Sequence, residues 1–279
     1  MNKLPLQKRC HILQLLVEGN SLRACSRIAD VSINTVTKLL VDVGKACYKF
    51  HSETVVNLKC KRVQCDEIWS FVYAKERNKT HVNGYSGDVW TFTAIDPDTK
   101  LIISFLVGLR NQTSTNLFMN DLWSRLKSIT QLTTDGFKPY IEAVADSFGG
   151  KVHFAQLVKQ YSTESLNKDG KPDKRERYIG AEKRVISGKP DLAKVTTSHV
   201  ERQNLTMRTG IKRFTRKTNG FSKKVENHCF AVALHFVYYN FARIHSTLRV
   251  TPAMEAKLSK KPWKIQDIAN LPTQYSILN

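Results

Sequence analysis

The chain has 279 residues and carries 44 Lys and Arg against 24 Asp and Glu, a formal net charge of +20 that calls for a polyanionic partner. No run has the length and apolarity of a membrane span, no signal peptide opens the chain, and the six cysteines (10, 25, 47, 60, 65 and 229) form no close C-x-x-C pair. Those features exclude a membrane protein, a disulfide-framed secreted domain and a cysteine zinc site, and leave room for a small head and one catalytic domain of about 200 residues.

From the amino end, the pattern predicts a helix over 6–18 ended by Gly19, a short helix over 22–29 capped by Ser21, a turn at 30–32, and a third helix over 33–47 capped by Ser32. This is helix-turn-helix spacing. Its third helix would enter the major groove of DNA with Asn34, Thr35, Thr37 and Lys38 as contacts. Short three-helix units also serve as packing or dimerisation modules.

Residues 63–72, Val-Gln-Cys-Asp-Glu-Ile-Trp-Ser-Phe-Val, read as a strand. Alternation puts Val63, Cys65, Glu67, Trp69 and Phe71 on one face and Gln64, Asp66, Ile68, Ser70 and Val72 on the other. Both faces are largely apolar, as in a central strand. An ionised carboxylate there is costly without a partner or a cation, so Asp66 or Glu67 needs one.

Strands over 88–95 and 101–109, joined by a turn at 96–99, complete a three-strand meander; turn chemistry accounts for Asp96 and Asp98. An amphipathic helix over 113–128 follows. The apolar run 129–135 then places Asp135 at the carboxyl end of a strand, where open α/β sheets gather ligand groups, and Pro139 opens another helix. Asp135 followed by Gly136 is also a common turn dipeptide. Strands, helix, strand and helix in this order make a mixed α/β layer.

Residues 158–197 turn polar, with little apolar periodicity at 168–177, and read as an exposed, mobile insertion suited to DNA contact or to ordering on binding. The run 198–208, Ser-His-Val-Glu-Arg-Gln-Asn-Leu-Thr-Met-Arg, then sets Glu201, Asn204, Leu205 and Arg208 on one helical face. Val200, Met207 and Ile211 occupy the opposite face for packing. Ser198 with Glu201 also fits a capping box. Between Arg202 and Lys224 stand eight basic residues and no acidic one. A long helix over 225–243 is predicted to bury Phe230, Ala231, Leu234, Val237, Tyr238 and Phe241, and Trp263 with the final residues reads as a tail packing on the body or a partner.

Asp66, Asp135 and Glu201 are 69 and 66 positions apart, so they meet only through tertiary folding. Carboxylate oxygens are the ligands that Mg²⁺ or Mn²⁺ prefers. Two such ions about 3.5 to 4 Å apart activate an attacking oxygen and stabilise a leaving one. The basic run beside Glu201, with Arg202, Arg208, Lys212, Arg213, Arg216 and Lys217, would hold phosphates where that chemistry happens, although binding of structural RNA would produce the same charge.

Two segments, Cys-Asp-Glu-Ile-Trp-Ser-Phe-Val at 65–72 and His-Val-Glu-Arg-Gln-Asn-Leu-Thr-Met-Arg-Thr-Gly-Ile-Lys-Arg-Phe-Thr-Arg-Lys-Thr at 199–218, resemble the insertion sequence one family of bacterial transposases. The resemblance spans roughly 60–239. It implies a ribonuclease-H-like α/β core, a mixed sheet with flanking helices, preceded by the all-α helix-turn-helix domain. It also implies an Asp-Asp-Glu triad on Asp66, Asp135 and Glu201 holding two Mg²⁺ or Mn²⁺ ions. The activity implied is cleavage at the ends of a mobile element and attack of the freed 3′-hydroxyl on target DNA. A basic residue seven positions after the Glu matches Arg208, which would hold a phosphate or orient the Glu201 carboxylate. Double-stranded DNA is the implied partner, a homodimer or higher oligomer the implied assembly, and the bacterial cytoplasm, at the nucleoid and away from membranes, the implied place. Family members often carry a cysteine zinc finger ahead of the helix-turn-helix, a feature this sequence lacks. The organisation expected is a helix-turn-helix domain over 1–50, a catalytic domain over 60–245 with its polar insertion, and a tail over 246–279. Two alternatives stay open: a helix-turn-helix regulator without catalysis, and a ribonuclease-H-like nuclease that cuts without joining.

Overall fold

Helical apolar spacing produces α1 (Leu6–Val17), α2 (Leu22–Ile28) and α3 (Ile33–Thr54) in a computed structural model that describes residues 4–79, 85–162 and 177–275. The predicted caps form, the Ser21 and Ser32 hydroxyls accepting the amides of Ala24 and Thr35 at 3.1 Å each. α3 outruns its expected end at 47 because Leu39, Leu40, Val43, Ala46, Cys47 and His51 continue one buried stripe. Arg125 then satisfies its last carbonyls, donating to the oxygens of His51 and Val55 at 3.3 and 3.2 Å.

The meander forms as β1 (Leu58–Val72), β2 (Gly87–Ile95) and β3 (Ile102–Gly108). α4 (Gln112–Arg125), β4 (Leu126–Asp135), α5 (Pro139–Phe148), β5 (His153–Ser162) and β6 (Arg177–Ser187) follow. The six strands lie in the order β3-β2-β1-β4-β5-β6. β1, β4 and β5 are mutually parallel and the other pairings antiparallel, so the expected mixed sheet with flanking helices is present. β1 is central, which is why both of its faces are apolar.

After β6 come α6 (Ser198–Gly210) and α7 (Val225–Val237). Phe92, opposite Glu67 in the ladder, packs on Phe118 of α4 and Tyr140 of α5. Phe105, opposite Thr93 and hence on the Asp66 face, packs on Phe236 of α7 and His51 of α3. The sheet is therefore covered by α4 and α5 on one side and by α3, α6 and α7 on the other. Each fully buried side chain of this interior, such as Ile68, Phe92 or Phe236, contributes about 1.5 to 3 kcal/mol. At the start of the free edge of β3, the Asn240 amide accepts from the Ile102 nitrogen and donates to its oxygen, both at 2.9 Å.

Three further sequence expectations need correction. The helix predicted over 113–128 stops at Arg125, because that guanidinium is clasped by Asp121 and Leu126 already pairs with Leu58 in the sheet. The polar stretch 158–197 is in good part a hairpin, with β5 running to Ser162 and β6 pairing antiparallel to it. β6 is an edge strand exposed on both faces, so its composition carries no apolar alternation; most of 168–177 lies outside the described residues. The helix predicted over 225–243 stops at Val237 and widens into a π turn over Tyr238–Ala242. Every residue from Ala231 to Val237 is buried, so no single stripe forms. The tail contains α8 (Pro252–Glu255) and α9 (Ile265–Gln274). Trp263 packs against Phe50 and Phe241, with ring centroids 4.7 and 5.0 Å away, and Arg9 of α1 donates to the Ala269 oxygen of α9 at 2.9 Å. The six cysteines are free thiols, and no helix among the described residues is long and apolar enough to cross a membrane.

Candidate active site

Strand register builds the site. In the parallel pair β1 and β4, Gln64 lies opposite Thr133 and Cys65 opposite Thr134. The next positions, Asp66 and Asp135, therefore project from the same face of neighbouring strands about 4.8 Å apart. Asp135 closes β4 with an Asx turn, Oδ1 accepting the Phe137 amide at 3.1 Å. Gln156 of β5 braces that turn by donating to the oxygens of Asp135 and Phe137 at 2.9 and 3.2 Å.

α6 supplies the third acid. Gln64, on the Asp66 face, accepts the amides of His199 and Val200 at 3.0 and 3.3 Å and so covers donors that a helix start leaves unpaired. Val200, Met207 and Ile211 are buried as expected, which turns Glu201 and Asn204 toward the strand acids. Asn204 donates Nδ2 to Asp66 Oδ2 at 2.8 Å. The capping box does not form: Thr197 precedes the helix and its hydroxyl donates to Glu201 Oε1. The same oxygen meets Lys159 Nζ of β5 at 2.8 Å. Asp66, Asp135, Glu201, Arg110 and Lys159 line one cavity of about 670 Å³.

Burial, followed by the charges of Asp135 and Glu67, pushes the Asp66 carboxyl up to about 8. Glu67 and Asp135 are also pushed up, burial again leading. Glu67 is held from two sides, Arg110 Nε donating to Oε1 at 2.6 Å and the Tyr140 hydroxyl to Oε2 at 3.1 Å. The Arg110 guanidinium lies 4.0 Å from the Phe137 ring centroid, with Nη2 3.7 Å from Asp135 Oδ2. Oxygens of Asp66, Glu67 and Asp135 all lie within 4.8 Å of one another. A half-desolvated cluster of like charges made of hard oxygen donors fits a divalent cation such as Mg²⁺ or Mn²⁺.

The structure thus brings the three predicted acids to one cavity. Gln64, Glu67, Arg110, Lys159 and Asn204 join them. Gln64 and Asn204 were marked by sharing a strand face with Asp66 and a helix face with Glu201, whereas Arg110 and Lys159 carry no local signal. Of the basic candidates, Arg202, Arg216 and Lys217 are exposed and Lys212 and Arg208 half-buried. Burial, followed by the charge of Arg216, lowers the Arg208 guanidinium below its ordinary value, with Asp66 acting the other way, while among the described residues the Glu201 ion pair is made by Lys159. Arg213 donates to Ser222 Oγ at 2.7 Å. At the start of α3, Asn34 and Lys38 are exposed and Thr35 and Thr37 half-buried, the Thr37 hydroxyl donating to the Ile33 oxygen at 2.8 Å.

Residues 173–242 match the protein family described as IS1 transposase, a stretch that includes Glu201 and the basic run and stops short of Asp66 and Asp135. No curated protein matches the chain. Among solved structures, the Mos1 strand transfer complex is similar at 15% identity over 55% of this chain and 59% of its own, with a TM-score of 0.25. The Mos1 mariner paired end complex with Mn is similar at 15% identity over 55% and 60%, with a TM-score of 0.24. The chain therefore spans about three fifths of the length of those structures' chains.

Proposed function

We propose that this chain, whose segment 173–242 matches the IS1 transposase family, is a divalent-metal-dependent DNA transposase that cuts at element ends and joins the freed 3′-hydroxyl to target DNA. The observation that carries the reading is the convergence of acids: Asp66 and Asp135 are neighbours by register, and Glu201 lines the same cavity from α6. Two cations, when bound, would supply activation of the attacking oxygen and stabilisation of the leaving one. Asp66 and Asp135 would share one ion and Glu201 would complete the site of the other. Asn204 holds the Asp66 carboxylate in one orientation, and Gln64 holds the start of α6 so that Glu201 stays over the strand ends. Lys159 and Arg110, which face the acids, are placed to bind the phosphate once the carboxylates turn to the ions. The net charge of +20 supports double-stranded DNA as substrate, and joining two ends calls for a dimer or higher oligomer on DNA.

The test is nicking and strand joining with Mg²⁺ or Mn²⁺ on linear DNA bearing the element's flanking ends, comparing the intact chain with Glu201→Gln. Joined products that vanish in the variant support the transposase. Nicking without joining would move the assignment to a nuclease, and tight binding with no metal-dependent chemistry to a regulator.

A further inference from the structure

A cleft of about 720 Å³ separates the amino end of α3 from the segment that follows α6. Asn34 and Thr37 form one wall, and Lys212, Arg213, Lys223 and Lys224 the other. None of the described residues lining it is acidic, and among the described residues none of these four cations forms an ion pair. Arg213 is the most telling. One terminal nitrogen donates to Ser222 Oγ at 2.7 Å, and the other is buried with no acceptor among the described residues. A buried guanidinium without an anion is costly, and together with Lys212, Lys223 and Lys224 it gives the cleft a positive charge that favours an external anion.

We propose that this cleft is a second nucleic-acid site, taking the phosphodiester backbone of the same DNA duplex that α3 reads and clamping it between α3 and residues 212–224. The proposal rests on the reading that the chain acts on DNA. The cleft and the acid site are linked by α6, since Glu201 and Gly210 are nine positions apart. That separation is on the order of 13 Å along the axis, roughly four base-pair steps, so one duplex reaches both.

The experiment is fluorescence anisotropy of a DNA duplex with the full chain, without divalent metal, over a series of salt concentrations. Lys223 and Lys224 are exposed, so Lys223→Gln with Lys224→Gln spares the fold. Because the pair would neutralise two phosphates, its removal should shallow the slope of log affinity on log salt by roughly 1.8. A control giving up the same charge at the other end of the sheet, Lys127→Gln with Lys151→Gln, should keep the wild-type slope. An unchanged slope in the first variant, an equal change in the control, or a change seen only with an RNA duplex would overturn the proposal. Metal-dependent nicking by the wild-type chain is scored separately. A shallower slope without nicking keeps the cleft and removes the transposase reading, and nicking with an unaltered slope removes the cleft alone.

Discussion

Asn204 links the two halves of the acid site with a single hydrogen bond to Asp66. It carries no charge, so its loss leaves the charge of the site unchanged and tests the orientation of Asp66. Asn204→Ala should lower single-turnover nicking and Mn²⁺ affinity by roughly 10- to 100-fold, as loss of a ligand-orienting partner does; calorimetric Mn²⁺ titration equal to wild type would refute that role. Asp66→Asn should abolish cleavage while DNA binding in gel shifts stays near wild type, and loss of binding as well would argue that Asp66 is structural. At this scale the sequence was generous where charge meets an apolar strand or a helical face, as at Asp66 and Glu201. It was silent on Arg110 and Lys159, because their partners are 43 and 42 positions away and only folding introduces them.

Elements were legible where the local period was uniform, as in the caps and helices of the amino end and the β2 and β3 meander. They were obscured where tertiary contacts override the period: β6 lies exposed at an edge, and α7 is buried all round. Register was beyond the sequence altogether, yet it alone makes Asp66 and Asp135 neighbours. Two predictions belong to these elements. A Cβ added at Gly44 of α3 would come within 2.4 Å of Phe230 Cβ and 2.6 Å of its carbonyl oxygen on α7. Gly44→Ala should therefore destabilise by about 1 to 3 kcal/mol in urea unfolding, although alanine is the better helix former by about 1 kcal/mol; a gain in stability would show that the helices separate freely. Gln64→Ala removes the acceptor at the start of α6 and should cost about 1 kcal/mol. Nicking should fall with it while affinity for DNA holds, and a fall in affinity instead would place Gln64 in binding.

Three buried histidines, His51, His228 and His235, mark the whole molecule's response to acid. Burial holds each near 3, below the usual 6.5. The unfolded chain binds protons that the fold refuses, so the stability these rings contribute is full above pH 6.5 and is lost as pH falls toward 3. Each contributes a slope of about 1.4 kcal/mol per pH unit in that window. Asp66 acts in the opposite sense, because an acid raised to about 8 stabilises the metal-free fold as pH falls through that value. A single variant isolates one histidine: His235→Leu removes a ring whose two nitrogens lack partners among the described residues. Its stability should vary less with pH below 6.5 than that of the wild type, by about 1.4 kcal/mol per unit, and parallel urea-unfolding profiles would contradict this. The molecule also has a constraint in α3. One uninterrupted helix presents Asn34 and Lys38 at its tip and wedges Gly44 and Phe50 against α7 and Trp263 further along. The head is thus no interchangeable module. On the proposed reading of DNA by α3, a foreign head would bring a foreign pillar, and redirecting this protein to another sequence would mean rewriting a few side chains at the tip of α3 while its lower half is left as it stands.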